Sequence, residues 1–362
     1  MNCRHCKKKL AYIFLDLGFA PPSNSYLSVK DLNKTEKYFP LKVYVCNKCW
    51  LVQTKDYIDA KELFTSEYAY VSSTSSSWLK HAKNYTDMII DKYKLNSKNY
   101  VIEIASNDGY LLKNFLKKKI PCLGIEPTES TAKQAIKLGV PVLKKFFSEK
   151  LAKKLSDKRK KADLIIGNNV YAHVPDINDF TKGLKIILKK SGVVTLEFPH
   201  LLQLIKHNQF DTIYHEHFSY LSLYTVNKIF NKQGLKVFNV EEIETHGGSL
   251  RVYGCHKNDT RKLNQNVKLL LKKEKDFGLQ KLKTYQNFQI KVNKIKDELI
   301  SFLIKQKNNR KKVIAYGAAA KGNTLLNYAG IKKDLLSFVC DGATAKQGQF
   351  MPGSHIPILP PE

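Results

Sequence analysis

The chain has 362 residues, 43% of them hydrophobic, enough for two or three domains with real cores. Its formal charge of +29 points toward nucleic acid, yet arginine occurs only at Arg4, Arg159, Arg251, Arg261 and Arg310, and the rest of the excess is lysine spread through every segment. Nucleic-acid readers favour arginine forks and clustered stripes, so these lysines read as solvated faces and no nucleic-acid partner is expected. No secretory leader precedes Cys3 and no apolar run approaches membrane-spanning length, so a cytoplasmic protein without a membrane partner is expected.

In chain order, Cys3-x-x-Cys6 and Cys46-x-x-Cys49 come first. Two such pairs give two knuckles whose thiolates can share one tetrahedral ion, and in a reducing compartment zinc is favoured over a disulfide pair. Four sulfur ligands leave no open position, so the ion is structural. Between the pairs, Pro21-Pro22-Ser23-Asn24 is expected to loop out. Cys122, Cys255 and Cys340 lie in apolar contexts and read as core. The hydroxyl-rich run Tyr68-Ala-Tyr70-Val-Ser72 to Ser77 suits either a linker or a ligand-facing lid, since its hydroxyls can bind a sugar. An amphipathic helix, Trp78 to Tyr93, leads on to the central sheet.

Val101 to Ala105 reads as a buried strand, and the turn Ser106 to Gly109 opens a helix with Leu111, Leu112, Phe115 and Leu116 on one face. Such a strand-turn-helix binds ligands at the carboxyl edge of a doubly wound sheet. Gly109 permits close backbone approach, while Glu103 and Asp108 can accept hydrogen bonds. Ala105 and Asn107 occupy places usually given to glycine. The next strand, Pro121 to Ile125, ends in Glu126, an acid placed for a ribose diol. A plain dinucleotide fold and a ligand-free sheet turn are the competing readings, and the surrounding pattern decides for S-adenosylmethionine. Alternation then continues through helix Thr128–Leu138, strand Val140–Leu143, helix Ser148–Leu155, strand Asp163–Ile166, helix Ile177–Leu188 and strand Gly192–Phe198. This rhythm predicts a mostly parallel sheet wrapped by helices, with strands Leu235–Val240 and Ser249–Cys255 adding an antiparallel hairpin at one edge.

Two stretches at strand ends carry candidate chemistry, Gly167-Asn168-Asn169-Val-Tyr-Ala-His173 and Tyr214-His-Glu216-His217-Phe-Ser-Tyr220. Tyr214, Glu216 and His217 offer a donor, an acceptor and a near-neutral base. A self-capped polar loop and a His-Glu-His metal site are the alternatives. His246-Gly-Gly-Ser-Leu-Arg251 is a third candidate, in which Arg251 can pair with a phosphate.

Residues 258–308 predict a long connecting helix from the spacing of Leu282, Tyr285, Ile295, Leu299, Phe302 and Leu303. Lys311 to Tyr316 then reads as a buried strand, and Gly317-Ala-Ala-Ala-Lys321-Gly-Asn323 as a small-residue turn opening a helix. Backbone donors, helix dipole and Lys321 there suit a diphosphate, with tight αβ packing as the other explanation. The following strand, Leu336 to Cys340, ends in Asp341.

Taken in order, the cysteine pairs, Glu103-x-Ala-Ser-Asn-Asp-Gly109, Asn168-Asn-Val-x-Ala-His173-Val, Glu197-Phe-Pro199, Tyr214-His-Glu-His217-Phe-Ser-Tyr and His246-Gly-Gly-Ser-Leu-Arg251 resemble the nucleotide-sugar C-methyltransferases of branched deoxysugar biosynthesis over nearly the whole chain. The resemblance implies an α/β fold with a Rossmann-like class I methyltransferase core, a small N-terminal zinc-binding domain and a C-terminal Rossmann-like lobe. The expected boundaries are 1–75, 76–257 and 258–362. That family continues beyond the position of Glu362, so a shortened lobe is expected. S-adenosylmethionine is the implied cofactor, with Glu103, Ala105, Asn107, Asp108, Gly109, Glu126, Asn168 and Asn169 around it and a structural zinc at the four cysteines. His217 is the implied base, with Tyr214, Glu216, His173 and Tyr68 completing the sugar pocket. Tyr70, Ser72, His246, Arg251, Lys321 and Asn323 are expected to bind the nucleotide-sugar substrate, and a monomer is expected. The corresponding chemistry is enolisation beside a ketone followed by attack on the methyl group. An O-methyltransferase, and less favourably a zinc-containing RNA methyltransferase or binding module, are the alternatives.

Overall fold

The computed structural model describes residues 1–63, 71–158 and 160–361, so the expectations for Tyr68 and Tyr70 lie outside the described residues. In the N-terminal segment, β1 (Tyr12–Ala20), β2 (Phe39–Val45) and β3 (Val52–Thr54) pair antiparallel. A fourth strand, β9 (Ser219–Tyr220), joins β3 from far along the chain. Lys7 and Trp50, each directly after the second cysteine of its pair, are left-handed (φ 62° and 64°) and reverse the chain so that both knuckles fold back. A short helix, α1 (Ala60–Leu63), follows β3.

Helix α2 (Ser76–Tyr93) begins where the Ser75 side chain accepts from the Trp78 amide at 3.3 Å and ends at left-handed Lys94. Its inward face is Trp78, Ala82, Tyr85, Thr86 and Ile89. The core sheet then grows by strand–helix repeats. These are β4 (Val101–Ile104), α3 (Leu112–Lys117), β5 (Cys122–Ile125), α4 (Glu129–Lys137), β6 (Val142–Leu143), α5 (Glu149–Asp157), β7 (Ala162–Asn168), α6 (Ile177–Ile187) and β8 (Leu188–Pro199). After α7 (Leu201–Lys206), β9 and α8 (Leu223–Gln233) come β10 (Leu235–Ile243) and β11 (Ser249–His256). The seven strands run in the order β10-β11-β8-β7-β4-β5-β6. Strands β8 to β6 are parallel, and β11 and β10 form the expected antiparallel hairpin at one edge. Parallel strands covered on both faces need apolar residues throughout, and Val101, Ile102, Ile165, Ile166, Val194, Leu196 and Phe198 are all fully buried. Cys122, Cys255 and Cys340 are buried, as expected of core thiols.

The connecting segment departs from its expected form. Instead of one long helix there are α9 (Gln265–Phe277), α10 (Leu282–Gln286) and α11 (Phe288–Asn308), because Gly278 takes a left-handed φ of +96° and stops the first. Strand β12 (Ala315–Tyr316) is shorter than predicted and lies at a sheet edge, which leaves Tyr316 76% exposed rather than buried. It pairs in parallel with β13 (Val339–Cys340), which pairs with β14 (Ile358–Leu359), and α12 (Ala320–Ala329) covers this small sheet. Among the described residues no helix is long and apolar enough to cross a membrane.

Candidate active site

The four cysteine sulfurs converge, with Cys3 and Cys49 Sγ 3.5 Å apart, Cys6 and Cys46 Sγ 3.5 Å apart, and all four within 4.8 Å of one another. The Gln53 amide donates to Cys3 Sγ at 3.3 Å, a contact that orients a ligand sulfur. An all-sulfur, largely buried set of this size fits zinc held for structure. Among the described residues no other group of ligand-type side chains is gathered closely enough. His215, Glu216 and His217 diverge instead. His215 Nε2 reaches the Phe39 carbonyl (3.3 Å), Glu216 Oε1 accepts from Asn24, and His217 Nδ1 donates to the Thr212 carbonyl.

A cavity of about 420 Å³ opens over the carboxyl ends of β4, β5, β7 and β8, where a parallel sheet leaves its ligand crevice. Ala105, Asn107, Glu126, Asn168 and Asn169 line it, whereas Glu103, Asp108 and Gly109, also expected at the cofactor, are buried and are not among its lining residues. The loop after β4 is left-handed at three places, Ala105 (φ 57°), Asn107 (φ 48°) and Gly109 (φ 78°). A side chain at Gly109 would press on Ala135 at 3.0 Å, so the glycine is fixed by space and by angle. Glu126 accepts from the amides of Asn107 (2.9 Å) and Thr128 (2.8 Å), which holds its carboxylate at the end of β5. Burial nevertheless raises its pKa above the usual carboxyl value. Glu103 is raised further, by burial and by the neighbouring charges of Asp108 and Glu126. Both amide atoms of Asn168 are buried without a partner, and aromatic Phe146 and Phe147 lie across the cavity. An orphaned amide, an acid at a strand end and an apolar wall fit an adenosyl group. The Ser72 and Ser73 amides dock on Asn107 Oδ1 (2.9 Å) and Asp108 Oδ2 (3.1 Å), which brings Ser72 to the cavity rim.

Opposite this loop stand Tyr214, Glu216, His217, His173 and His246. His217 is 8% exposed; its ring lies 4.1 Å from Tyr214 and 4.6 Å from His173, centroid to centroid. Since a carbonyl only accepts, the 2.7 Å contact to Thr212 puts the proton on Nδ1 and the lone pair on Nε2. Burial first, then the proximity of His173, pushes His217 well below the ordinary histidine pKa, and burial takes His173 to about 4. His246 sits left-handed (φ 54°) at the rim, where Asn169 Nδ2 donates to its Nε2 at 3.0 Å and Trp78 lies 5.1 Å away. Lys321 and Lys346 enter the cavity from the C-terminal segment.

Two expected substrate contacts are corrected. Arg251 does not line the cavity: its guanidinium is 2.6 Å from Glu197 and 3.0 Å from Glu241, over the Tyr85 ring, and those two carboxylates satisfy the cation that was expected to meet phosphate. Asn323 is fully buried and donates to the Ser23 carbonyl at 2.7 Å, so it ties α12 to the N-terminal loop. The Pro21–Asn24 stretch loops out between β1 and β2, and Asn24 reaches the cavity and donates to Glu216 at 2.6 Å. Sequence reasoning missed Asn24, Trp78 and Lys346 as lining residues. A proline pair followed by a polar amide was the available signal for the first; nothing local marked Lys346.

The chain matches three protein-family profiles: a zinc binding domain over residues 3–64, a methyltransferase domain over 79–240 and a C-methyltransferase C-terminal domain over 244–362. It is 31% identical to C-methyltransferase NovU of Streptomyces niveus over 361 residues, covering 100% of this chain and 86% of that one. Solved structures resemble about half of it. A protein of Pyrococcus horikoshii aligns with 52% of this chain and 95% of its own at 16% identity and a TM-score of 0.43. Magnesium protoporphyrin IX methyltransferase of Synechocystis aligns with 49% and 82% at 12% identity and a TM-score of 0.39. The chain therefore belongs to the S-adenosylmethionine-dependent C-methyltransferases that carry an N-terminal zinc-binding domain.

Proposed function

We propose that the enzyme methylates carbon in a nucleotide-linked keto-deoxysugar, with His217 as the base. Carbon attacks a methyl group only when deprotonated beside a carbonyl, and a 4-keto sugar makes its C3 proton removable. The observation that carries the reading is the fixed tautomer of His217: Nδ1 is spent on Thr212, and Nε2 presents its lone pair inside the cavity. Because burial holds the ring neutral, the base is ready at physiological pH. When Nε2 takes the C3 proton, the C3–H electron pair becomes the C3–C4 double bond and the carbonyl oxygen becomes an oxyanion. The Tyr214 side chain stands beside His217 for that charge, and Glu216 offsets the imidazolium. S-adenosylmethionine, when bound, supplies an electrophilic methyl on a sulfonium. The cofactor loop and strand ends hold it across the cavity, so that alignment and water exclusion perform most of the catalysis.

The C-terminal segment supports a diphosphate in the same cavity. Helix α12 starts at Ala319 without a side-chain cap, and its first turn lines the cavity together with Lys321 and Lys346. Backbone donors and the Lys321 ammonium favour an anion there, while Lys346 Nζ donates to the Ala318 carbonyl at 2.8 Å and lies 3.6 Å from Asp341. His217→Asn tests the reading: turnover of a 4-keto sugar nucleotide is expected to vanish while S-adenosylhomocysteine binding persists. Unchanged turnover would overturn it.

A further inference from the structure

We propose that Asn24, carried into the cavity by the N-terminal zinc-binding segment, is a positioning residue that keeps the Glu216 carboxylate ionised and aimed at the reacting sugar. It rests on the reading above only in giving Glu216 work to do. Asn24 Nδ2 donates to Glu216 Oε1 at 2.6 Å, the length of a strong charge-assisted bond, and Glu216 is 2% exposed. A carboxylate so buried stays charged only when donors meet it.

The loop that delivers Asn24 is tied down at several places. Asn323, fully buried, donates to the Ser23 carbonyl at 2.7 Å, Tyr26 Oη donates to the Ala318 carbonyl at 2.5 Å, and Leu27 bridges Phe350. Asn24 is thus held between the zinc-binding and C-terminal segments, and its amide meets the one between them. Among the described residues, Tyr26 from that loop feels the Glu216 charge, His173 bonds the Glu216 backbone, and Tyr214, His217, Lys321 and Lys346 line the same cavity. Burial, then Asp341, then Glu216 raise the Tyr26 phenol, so Tyr26 stays a neutral donor beside them.

The test is carboxyl titration of the substrate-free, full-length protein by carbon-13 NMR with labelled glutamate. The Glu216 signal is assigned by its loss in Glu216→Gln. Asn24→Leu removes the donor and is expected to raise the Glu216 pKa by about one unit. Asn24→Asp has the same shape but adds a like charge, and should raise it further. With a 4-keto sugar nucleotide, the acidic limb of the rate profile should move up in the same order, and Asn24→Asp should be the slower variant. A purely structural amide would instead tolerate Asp better than Leu. Folding is read from the melting shift given by S-adenosylhomocysteine. Should Asn24→Asp fail to fold, Asn24→Asp with Glu216→Gln exchanges donor and acceptor and is expected to regain the lost melting temperature. An unmoved Glu216 titration in the folded variants, or no recovery in the exchanged pair, overturns the proposal. If the wild type methylates no keto sugar, the enolisation reading fails, while the carboxyl titration still decides the role of Asn24.

Discussion

His173 and His217 meet edge to face, their rings 4.6 Å apart and inclined at 71°. Both bind a proton less readily in the folded chain than in the unfolded one, His173 with a pKa lowered to about 4. Below the ordinary histidine value the unfolded chain therefore takes up more protons, and stability falls as pH drops from about 6.5 toward 4. His173 alone accounts for on the order of 2 kcal/mol at pH 5. Melting temperatures measured from pH 7.5 to 5 should fall steeply in the wild type and less steeply in His173→Gln. Parallel slopes would show that the pair is not the source.

Zinc removal should reach the Tyr214–Tyr220 stretch through β3. Thr54 Oγ1 donates to the His217 carbonyl at 3.1 Å, its amide bonds the Phe218 carbonyl at 3.2 Å, and β3 pairs directly with β9. A chelator, or Cys46→Ser, is expected to reduce sugar methylation more than S-adenosylhomocysteine binding, measured by calorimetry on the same sample. Equal losses of both would point to global unfolding.

The cofactor loop makes opposite predictions at two neighbouring positions. Gly109→Ala must place a methyl 3.0 Å from Ala135 at a φ of +78°, and should cost about 1–3 kcal/mol and weaken cofactor binding. Ala105→Gly relieves a left-handed alanine at φ 57°, which offsets the added chain entropy, so stability should change by less than about 1 kcal/mol. Thermal melts with and without S-adenosylhomocysteine separate the two effects.

Glu274, fully buried on α9, accepts from His200 Nε2 at 2.8 Å and from the amides of Leu223 (2.6 Å) and Tyr224 (2.9 Å). It caps α8 and clasps the chain just beyond Pro199. Glu274→Ala leaves those donors buried and unmet, and should cost about 3–5 kcal/mol in a denaturant titration. Glu274→Gln, which keeps an acceptor oxygen, should cost less.

Much of the core was legible because its strands are buried on both faces and read as mostly apolar runs, as Val101–Ile104 does apart from Glu103 and Val193–Phe198 apart from Thr195 and Glu197. Turn glycines and strand-end acids placed the crevice for the same reason. What escaped were contacts between distant segments. Asn24 and Lys346 come to the cavity from sequence neighbourhoods with no motif, since long-range docking leaves no periodic trace. Arg251 misled in the opposite sense. Its motif suggested a ligand cation, but its strand register sets it beside Glu197 and Glu241, on β8 and β10. The helix over 258–308 was drawn too long because apolar spacing continues across Gly278, where only the backbone angle breaks it.

Where the methyl group lands separates attack by carbon from attack by oxygen. The wild-type enzyme would be incubated with TDP-4-keto-6-deoxyglucose and S-adenosylmethionine carrying a carbon-13 methyl, and the product read by carbon-13 NMR. A label bonded to sugar carbon, next to the ketone, is the expected result. A label in the methoxy region would mean attack through oxygen, and would contradict enolisation at His217.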